Sequence, residues 1–288
     1  MKPAPFTYHS AVSLEEALQL LDPENGDTER KVIAGGQTLV PLMAMRLTRP
    51  SLLIDLNGLD ELVGIDEGDS SIIIGAMTRQ RDVERAAIVL KKIPLLAHAL
   101  HYVGHIQTRN RGTIGGSLVH GDPSAEIPLV AVVLAARLHL ASAKSRRIVD
   151  AEDFFEGPMT TSISDDEILT AIEFPLPPAG LCSGTSFQEI APRHGDFALV
   201  SAGVQIALDD DGVCQVAHVG VGGCGMTPLR LHDCEAALMA GDLEHAIALV
   251  SQAIDPENTP QADAAYRRRV APELVRRAVA DAYEDVNT

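Results

Sequence analysis

Two pairs of adjacent glycines, Gly35-Gly36 and Gly115-Gly116, constrain this 288-residue chain more than any other feature. The first lies in Ala34-Gly35-Gly36-Gln37-Thr38-Leu39-Val40-Pro41 and the second in Thr113-Ile114-Gly115-Gly116-Ser117. Paired glycines lack the Cβ atoms that keep a ligand off the backbone, so main-chain N–H groups can converge there on an anion. Lys31-Val32-Ile33 reads as a short strand before the first pair, and Gln37 to Met45 as a helix behind it. Pro41 falls near the first turn, where proline is tolerated. A helix N-terminus behind a glycine turn suits a phosphate, because unpaired N–H groups and the helix dipole both point at it. Two such turns in one domain imply a grip on the two phosphates of a dinucleotide. Neither has the glycine spacing of the Rossmann fingerprint or the P-loop, so the chemistry must come from the two acting together.

The length suits two domains, and 46% hydrophobic with 22% charged residues is enough to bury a core. A formal net charge of −17 repels nucleic acid and anionic membranes alike, and the absence of Trp disfavours stacking surfaces for single strands. The N-terminus has no apolar run that would make a signal peptide. The longest apolar stretch, Ile127 to Ala136, is too short to cross a bilayer. Cys182, Cys214, Cys224 and Cys234 are 32, 10 and 10 positions apart. With no Cys-x-x-Cys pair, they read as reduced, mostly buried thiols of a cytoplasmic protein, not as cluster or zinc ligands.

Along the chain, Ser13-Leu14-Glu15-Glu16 is a capping box for a short helix that buries Leu14, Ala17, Leu18 and Leu21. Pro23-Glu24-Asn25-Gly26-Asp27 breaks it, and Leu52 to Leu56 is a further strand. Ile72 to Ala76 is an apolar strand, with Thr78 as a cap for the helix after it; Pro94 to Tyr102 is helical. Ile127 to Ala136 reads as an apolar helix, followed by hairpin strands at Arg137 to Ala141 and Arg146 to Val149. The run Pro175-Leu176-Pro177-Pro178-Ala179-Gly180 marks a domain boundary, since three prolines cannot sit inside a helix or a central strand. Beyond it come three strands, Ser183 to Ile190, Ala198 to Leu208 and Val213 to Val221. Helices follow near Cys234 to Ala240, Asp242 to Ile254 and Asp263 to Tyr283.

Taken together these stretches look familiar. Ala-Gly-Gly-Gln-Thr-Leu-x-Pro (Ala34–Pro41) and Thr-Ile-Gly-Gly-Ser-x-x-x-x-Asp-Pro-x-x-Glu (Thr113–Glu126) resemble the two flavin-binding signatures of the FAD subunit of the molybdenum hydroxylases. This is the xanthine dehydrogenase and carbon monoxide dehydrogenase family. Ile72–Thr78, Glu167 through Pro175, Phe187-Gln188-Glu189 with Arg193 to Ala198, and Tyr266-Arg267-Arg268 are similar to further segments, so the resemblance spans the chain.

The resemblance implies an α+β fold. A two-part FAD-binding domain of the p-cresol methylhydroxylase/vanillyl-alcohol oxidase type (residues 1–176) would precede a C-terminal domain (180–288) of three-stranded antiparallel sheet plus helices. It also implies site residues. Ala34, Gly35, Gly36, Gln37, Thr38 and Leu39 would bind one side of the pyrophosphate, and Thr113, Ile114, Gly115, Gly116 and Ser117 the other. Glu126 with Asp122 would accept from ribose or adenine-side donors, while Val103, Leu169, Gln188 and Phe197 would border the flavin ring. Some members have Asn where Ser117 stands, Lys where Gln188 stands, and an aromatic where Val103 stands. A neutral Gln188 would tune the flavin differently from a lysine.

Other stretches read more plainly. Asp122, Ser124 and Glu126 are local helix caps, a role compatible with ligand binding. The histidines, including His98, His101, His105 and His120, lack metal-ligand spacing. Gly220 to Gly225 is a strand-to-loop bend, and Arg267-Arg268-Arg269 with Arg276 and Arg277 is a salt-bridged or subunit-facing surface.

By resemblance the chain is an electron-transfer oxidoreductase subunit without catalytic side chains or metal ligands of its own. A large molybdopterin subunit and a small subunit with two-iron two-sulfur clusters would complete a dimer of heterotrimers. Electrons would pass through FAD to an external acceptor, and an N-heteroaromatic substrate would be hydroxylated elsewhere in the assembly. Two alternatives are a flavin-free assembly protein of the same fold and a free-standing flavin oxidase.

Overall fold

A computed structural model describes residues 2–26 and 29–286; Asp27, read as part of the break after the first helix, lies outside them. The chain begins as a small α/β unit. Strand Leu52–Asp55 is central, with Thr7–Ser10 and Arg30–Ile33 parallel on either side. Parallel neighbours require crossovers, here the helices Leu14–Leu21 and Leu39–Ala44. Ser13 caps the first by accepting from the Glu16 N–H, and the Glu16 carboxylate reaches back to the Val12 N–H at 2.7 Å. The buried face of that helix is Leu14, Ala17, Leu18 and Leu21, as its periodicity implies.

An antiparallel five-stranded sheet follows, in the order Ile65–Glu67, Ser71–Gly75, Ile168–Pro175, Arg137–Ala141, Arg146–Asp150. Its middle strand arrives last in sequence, and a bulge between Leu169 and Ala171 re-aims the chain there. Thr78 does not cap the next helix, Gln80–Arg85. Its hydroxyl donates to the Gly64 carbonyl and accepts from the Gly64 N–H, both at 3.0 Å, and so closes the neighbouring loop.

Helix Pro94–Tyr102 has the bounds its sequence implies. The apolar helix spans Glu126–Val133, shorter than Ile127 to Ala136, because Ala135 adopts a left-handed φ of 50°. It is buried on every side, as a helix apolar all round must be. One flank packs on Pro94–Tyr102 and another on the C-terminal sheet, so it is the post joining the two halves of the molecule.

The C-terminal sheet has four strands, not three: Cys182–Ile190, Val200–Leu208, Cys214–Gly222 and the two-residue edge Leu229–Arg230. Two hydrogen-bonded residues leave too little alternation to be seen in sequence. Helices His232–Met239 and Leu243–Ala253 pack beside it, and Ala264–Val286 runs across its first two strands. Among the described residues no helix is long and apolar enough to cross a membrane.

Candidate FAD site

Strand Arg30–Ile33 ends where Gly35 meets the loop before the second bend. A Cβ at Gly35 would lie 2.1 Å from the Arg111 carbonyl oxygen and 2.9 Å from the Gly112 Cα, so only glycine permits this approach. Gly36 then turns the chain at φ 71°. The helix behind it is Leu39–Ala44, shorter than Gln37 to Met45, because Gln37 and Thr38 remain in the bend. As a result the N–H groups of Gly35, Gly36, Gln37, Thr38 and Leu39 have no hydrogen-bond acceptor among the described residues. All five residues line one open cleft of about 450 Å³. Unpaired amides on residues that line one space suit a receptor for anionic oxygens.

The second bend has a different character. Thr113 caps the helix Ile114–His120 by accepting from the Gly116 N–H at 3.1 Å. The Ile114 N–H is spent on the Thr78 carbonyl at 3.1 Å and the Gly115 N–H on Ala76 at 2.9 Å. Ile114 is fully buried and does not line the cleft: its side chain and N–H both serve the core. What this bend presents is the bare backbone of Gly116 and the Ser117 side chain, both of which line the cleft with Thr113 and Gly115. The bends adjoin: a Cβ at Gly116 would stand 3.7 Å from the Ala34 Cβ.

Two residues that sequence reasoning passed over tie the bends together. Asn57 Nδ2 donates to the Ala34 carbonyl at 2.8 Å, and Arg79 bonds both the Asn57 amide oxygen and the Arg111 carbonyl. Asn57 reads in sequence only as half of an Asn-Gly turn, and Arg79 as a residue before a helix.

Glu126 opens the apolar helix and lines the cleft at 5% exposure. Burial, and then the nearby Glu189 carboxylate, push its carboxyl up to about 8, so it carries a proton at neutral pH and can donate as well as accept. Asp122 does not line the cleft. Its Oδ1 accepts from the Ser124 N–H at 2.8 Å, a local turn ahead of the helix; the N-cap itself is Ala125, which makes no side-chain cap bond, so Asp122 does not cap the helix as read from sequence.

Val103, Leu169 and Phe197 make an apolar part of the lining. Phe197, from the C-terminal half, is 58% exposed at the cleft. Gln188 is the remaining departure. Its Nε2 donates to Asp281 on the last helix at 2.5 Å, and it does not line the cleft. Among the described residues no group of three His, Cys, Asp or Glu side chains is placed to hold a metal ion.

The donor set fits FAD: open amides for a diphosphate, a protonated buried carboxyl and a serine for hydroxyl groups, and an aromatic side chain for a ring. Comparison with known proteins agrees. Residues 4–177 match the family described as FAD binding domain in molybdopterin dehydrogenase, and residues 185–282 the CO dehydrogenase flavoprotein C-terminal domain. The 6-hydroxypseudooxynicotine dehydrogenase complex subunit alpha of Paenarthrobacter nicotinovorans is 38% identical over 287 residues, covering 98% of this chain and 96% of that subunit. The nicotine 6-hydroxylase medium subunit of the same organism is 35% identical, covering 98% and 99%. A chain of the carbon monoxide dehydrogenase of Hydrogenophaga pseudoflava, in a form lacking the Mo-pyranopterin moiety, superposes with a TM-score of 0.93 at 32% identity, covering 99% of both chains. The protein therefore belongs to the FAD-binding medium subunits of the molybdenum hydroxylases.

Proposed function

We propose that this chain carries electrons, through a bound FAD, between the iron–sulfur clusters of a partner subunit and an external acceptor. The whole enzyme is then a hydroxylase of an N-heteroaromatic compound. The observation that carries the first part is the set of five unpaired amides, Gly35 to Leu39, opening on the same cleft as Gly116, Ser117, Glu126 and Phe197. The substrate class rests on the two relatives above, whose names refer to 6-hydroxypseudooxynicotine and nicotine.

FAD supplies a ring that accepts electrons from one partner and yields them to another; the chain's residues hold and surround it. Amides of the first bend and the Thr38 hydroxyl bind the diphosphate. Gly116 lets the other face of the diphosphate approach the backbone, with Ser117 beside it. Glu126, holding its proton, meets a hydroxyl of the ribityl or ribose part. Val103, Leu169 and Phe197 border the ring and keep water from part of it. The assembly is a dimer of heterotrimers with a large molybdopterin subunit and a small iron–sulfur subunit, and it works in the cytoplasm.

Purifying the full chain with its co-expressed neighbours tests this. The expected sample is yellow, with a band near about 450 nm, and mass analysis identifies a large and a small companion subunit. A colourless chain that takes up no added FAD overturns the reading, and turnover by the yellow chain alone would favour a free-standing oxidase.

A further inference from the structure

The arginine-rich last helix reads in sequence as a salt-bridged surface, and three of its arginines are that. Arg268 pairs with Asp255 at 2.7 Å, Arg276 with Glu244 at 2.6 Å, and Arg277 with Glu273 at 2.9 Å. Arg267 is different. It is 5% exposed and meets no carboxylate among the described residues. Its Nη1 donates to the Leu199 carbonyl and, at 2.7 Å, to the Gly223 carbonyl, and its Nη2 donates to the Thr259 hydroxyl at 2.9 Å.

The location explains the cost. Ser201 faces Gly222 as the last pair of the ladder between Val200–Leu208 and Cys214–Gly222. Beyond it the strands part, leaving two carbonyls, acceptors that cannot satisfy each other. Gly223, at φ 71°, brings its backbone so close that a Cβ would lie 2.5 Å from the Leu199 oxygen. One guanidinium nitrogen bridges both acceptors. A buried cation with only neutral partners is an expensive way to gain stability, and an apolar side chain would serve packing better.

Both bridged segments lead to the cleft. Leu199 is two residues from Phe197, and the Gly223 N–H donates at 3.0 Å to the carbonyl of Pro123, in the loop that precedes Glu126. We infer that Arg267 is a positioning residue for the flavin site, fixing Phe197 and the Glu126 loop relative to each other from behind the C-terminal sheet. This rests on the FAD reading above.

The test uses the full chain in its assembled complex, with Arg267→Met, Arg267→Lys, Gly223→Ala, Phe197→Ala and the Arg267→Met/Phe197→Ala pair. The readouts are the flavin band, its fluorescence quenching, the FAD dissociation constant, and the melting temperature without FAD. Arg267→Met is expected to change the band in the direction of Phe197→Ala and to weaken FAD about tenfold, with the double variant no worse than the poorer single. Gly223→Ala, which forces the carbonyls apart while keeping Arg267, is expected to act likewise, and Arg267→Lys to fall between wild type and Met. If Arg267→Met fails to fold, Arg267→Lys and Gly223→Ala decide. A lowered melting temperature with a wild-type band and FAD affinity within about twofold overturns the inference, as do effects that multiply independently with Phe197→Ala. A wild-type chain without flavin would instead overturn the function itself.

Discussion

Replacing Gly35 by alanine places a methyl group 2.1 Å from the Arg111 carbonyl oxygen, 2.8 Å from its carbon and 2.9 Å from the Gly112 Cα. All three are backbone atoms, so no side chain can rotate away. Reaching ordinary contact needs a displacement of about 1.3 Å between the two bends. The bends are also braced by Asn57 and Arg79, which resist that displacement. Overpacking of this kind costs about 1–3 kcal/mol of stability. The larger loss falls on the ligand. A charge-assisted hydrogen bond is worth about 1.5–3 kcal/mol, and moving the first bend misaims at least two amides. The dissociation constant for FAD should therefore rise by about 100-fold or more, since each 1.4 kcal/mol is about tenfold. Gly58→Ala is the control, because a Cβ there meets only the Ala11 carbonyl at 3.6 Å. FAD titration of the apo chain, followed by flavin fluorescence, with circular dichroism to verify folding, measures both. A Gly35→Ala chain that folds and binds FAD within about twofold of wild type would refute the convergence of the two bends on one ligand.

Further outcomes follow from the same geometry. Burial pushes the Glu126 carboxyl up to about 8 and that of Glu189 up to about 7, so the folded chain binds these protons more tightly than the unfolded one. Its stability therefore falls as pH rises from the ordinary carboxylate value of 4.5 toward 8, and Glu126→Gln should flatten that slope in thermal melts without FAD. Cys214, Cys224 and Cys234 are buried, with the last two thiols pushed up to about 12 by burial, while Cys182 is exposed. Thiol titration of the native chain should find one reactive group, and mass mapping should place it at Cys182; modification of Cys224 without denaturant would contradict the packing. Arg109 and Glu84 form a largely buried ion pair at 3.0 Å, with Arg109 also donating to the Val103 carbonyl at 2.8 Å. Glu84 keeps Arg81 at 2.8 Å, so Arg109→Met should cost about 1.5–3 kcal/mol in urea denaturation, the worth of the lost charge-assisted bonds, and loosen Val103, which borders the cleft.

Local chemistry made much of this architecture readable. Helix Pro94–Tyr102 follows from a proline at its first position and an apolar run broken only by His98 and His101, and Ser13 caps its helix as read, with the Glu16 carboxylate reaching back one residue further, to the Val12 N–H. The first bend was readable too, because paired glycines permit the positive φ and the close backbone approach that such a turn needs. Misreadings arose where a side chain had two partners within reach and only the assembled fold could choose. Thr78 prefers the Gly64 loop to the next helix, closing a contact 14 positions back along the chain. The second bend looks like the first in sequence, yet its amides are consumed by Ala76 and Thr78, a competition set by a strand far earlier in the chain. Arg267 escaped for the same reason. Its neighbours on the helix are surface ion pairs, and nothing local reveals that the strands part beneath it.

Strand Ile168–Pro175 joins the two halves of the five-stranded sheet, pairing with Ser71–Gly75 on one edge and Arg137–Ala141 on the other. A nascent polypeptide therefore leaves the ribosome with that sheet split until well past its midpoint, and with the wall that Leu169 contributes still missing. The cleft wall at Leu169 therefore forms only after that long-range pairing, the slow kind of contact to make. Until then, two unpaired strand borders stand open to adhesion, which makes the interval before closure the period of greatest risk for misassembly.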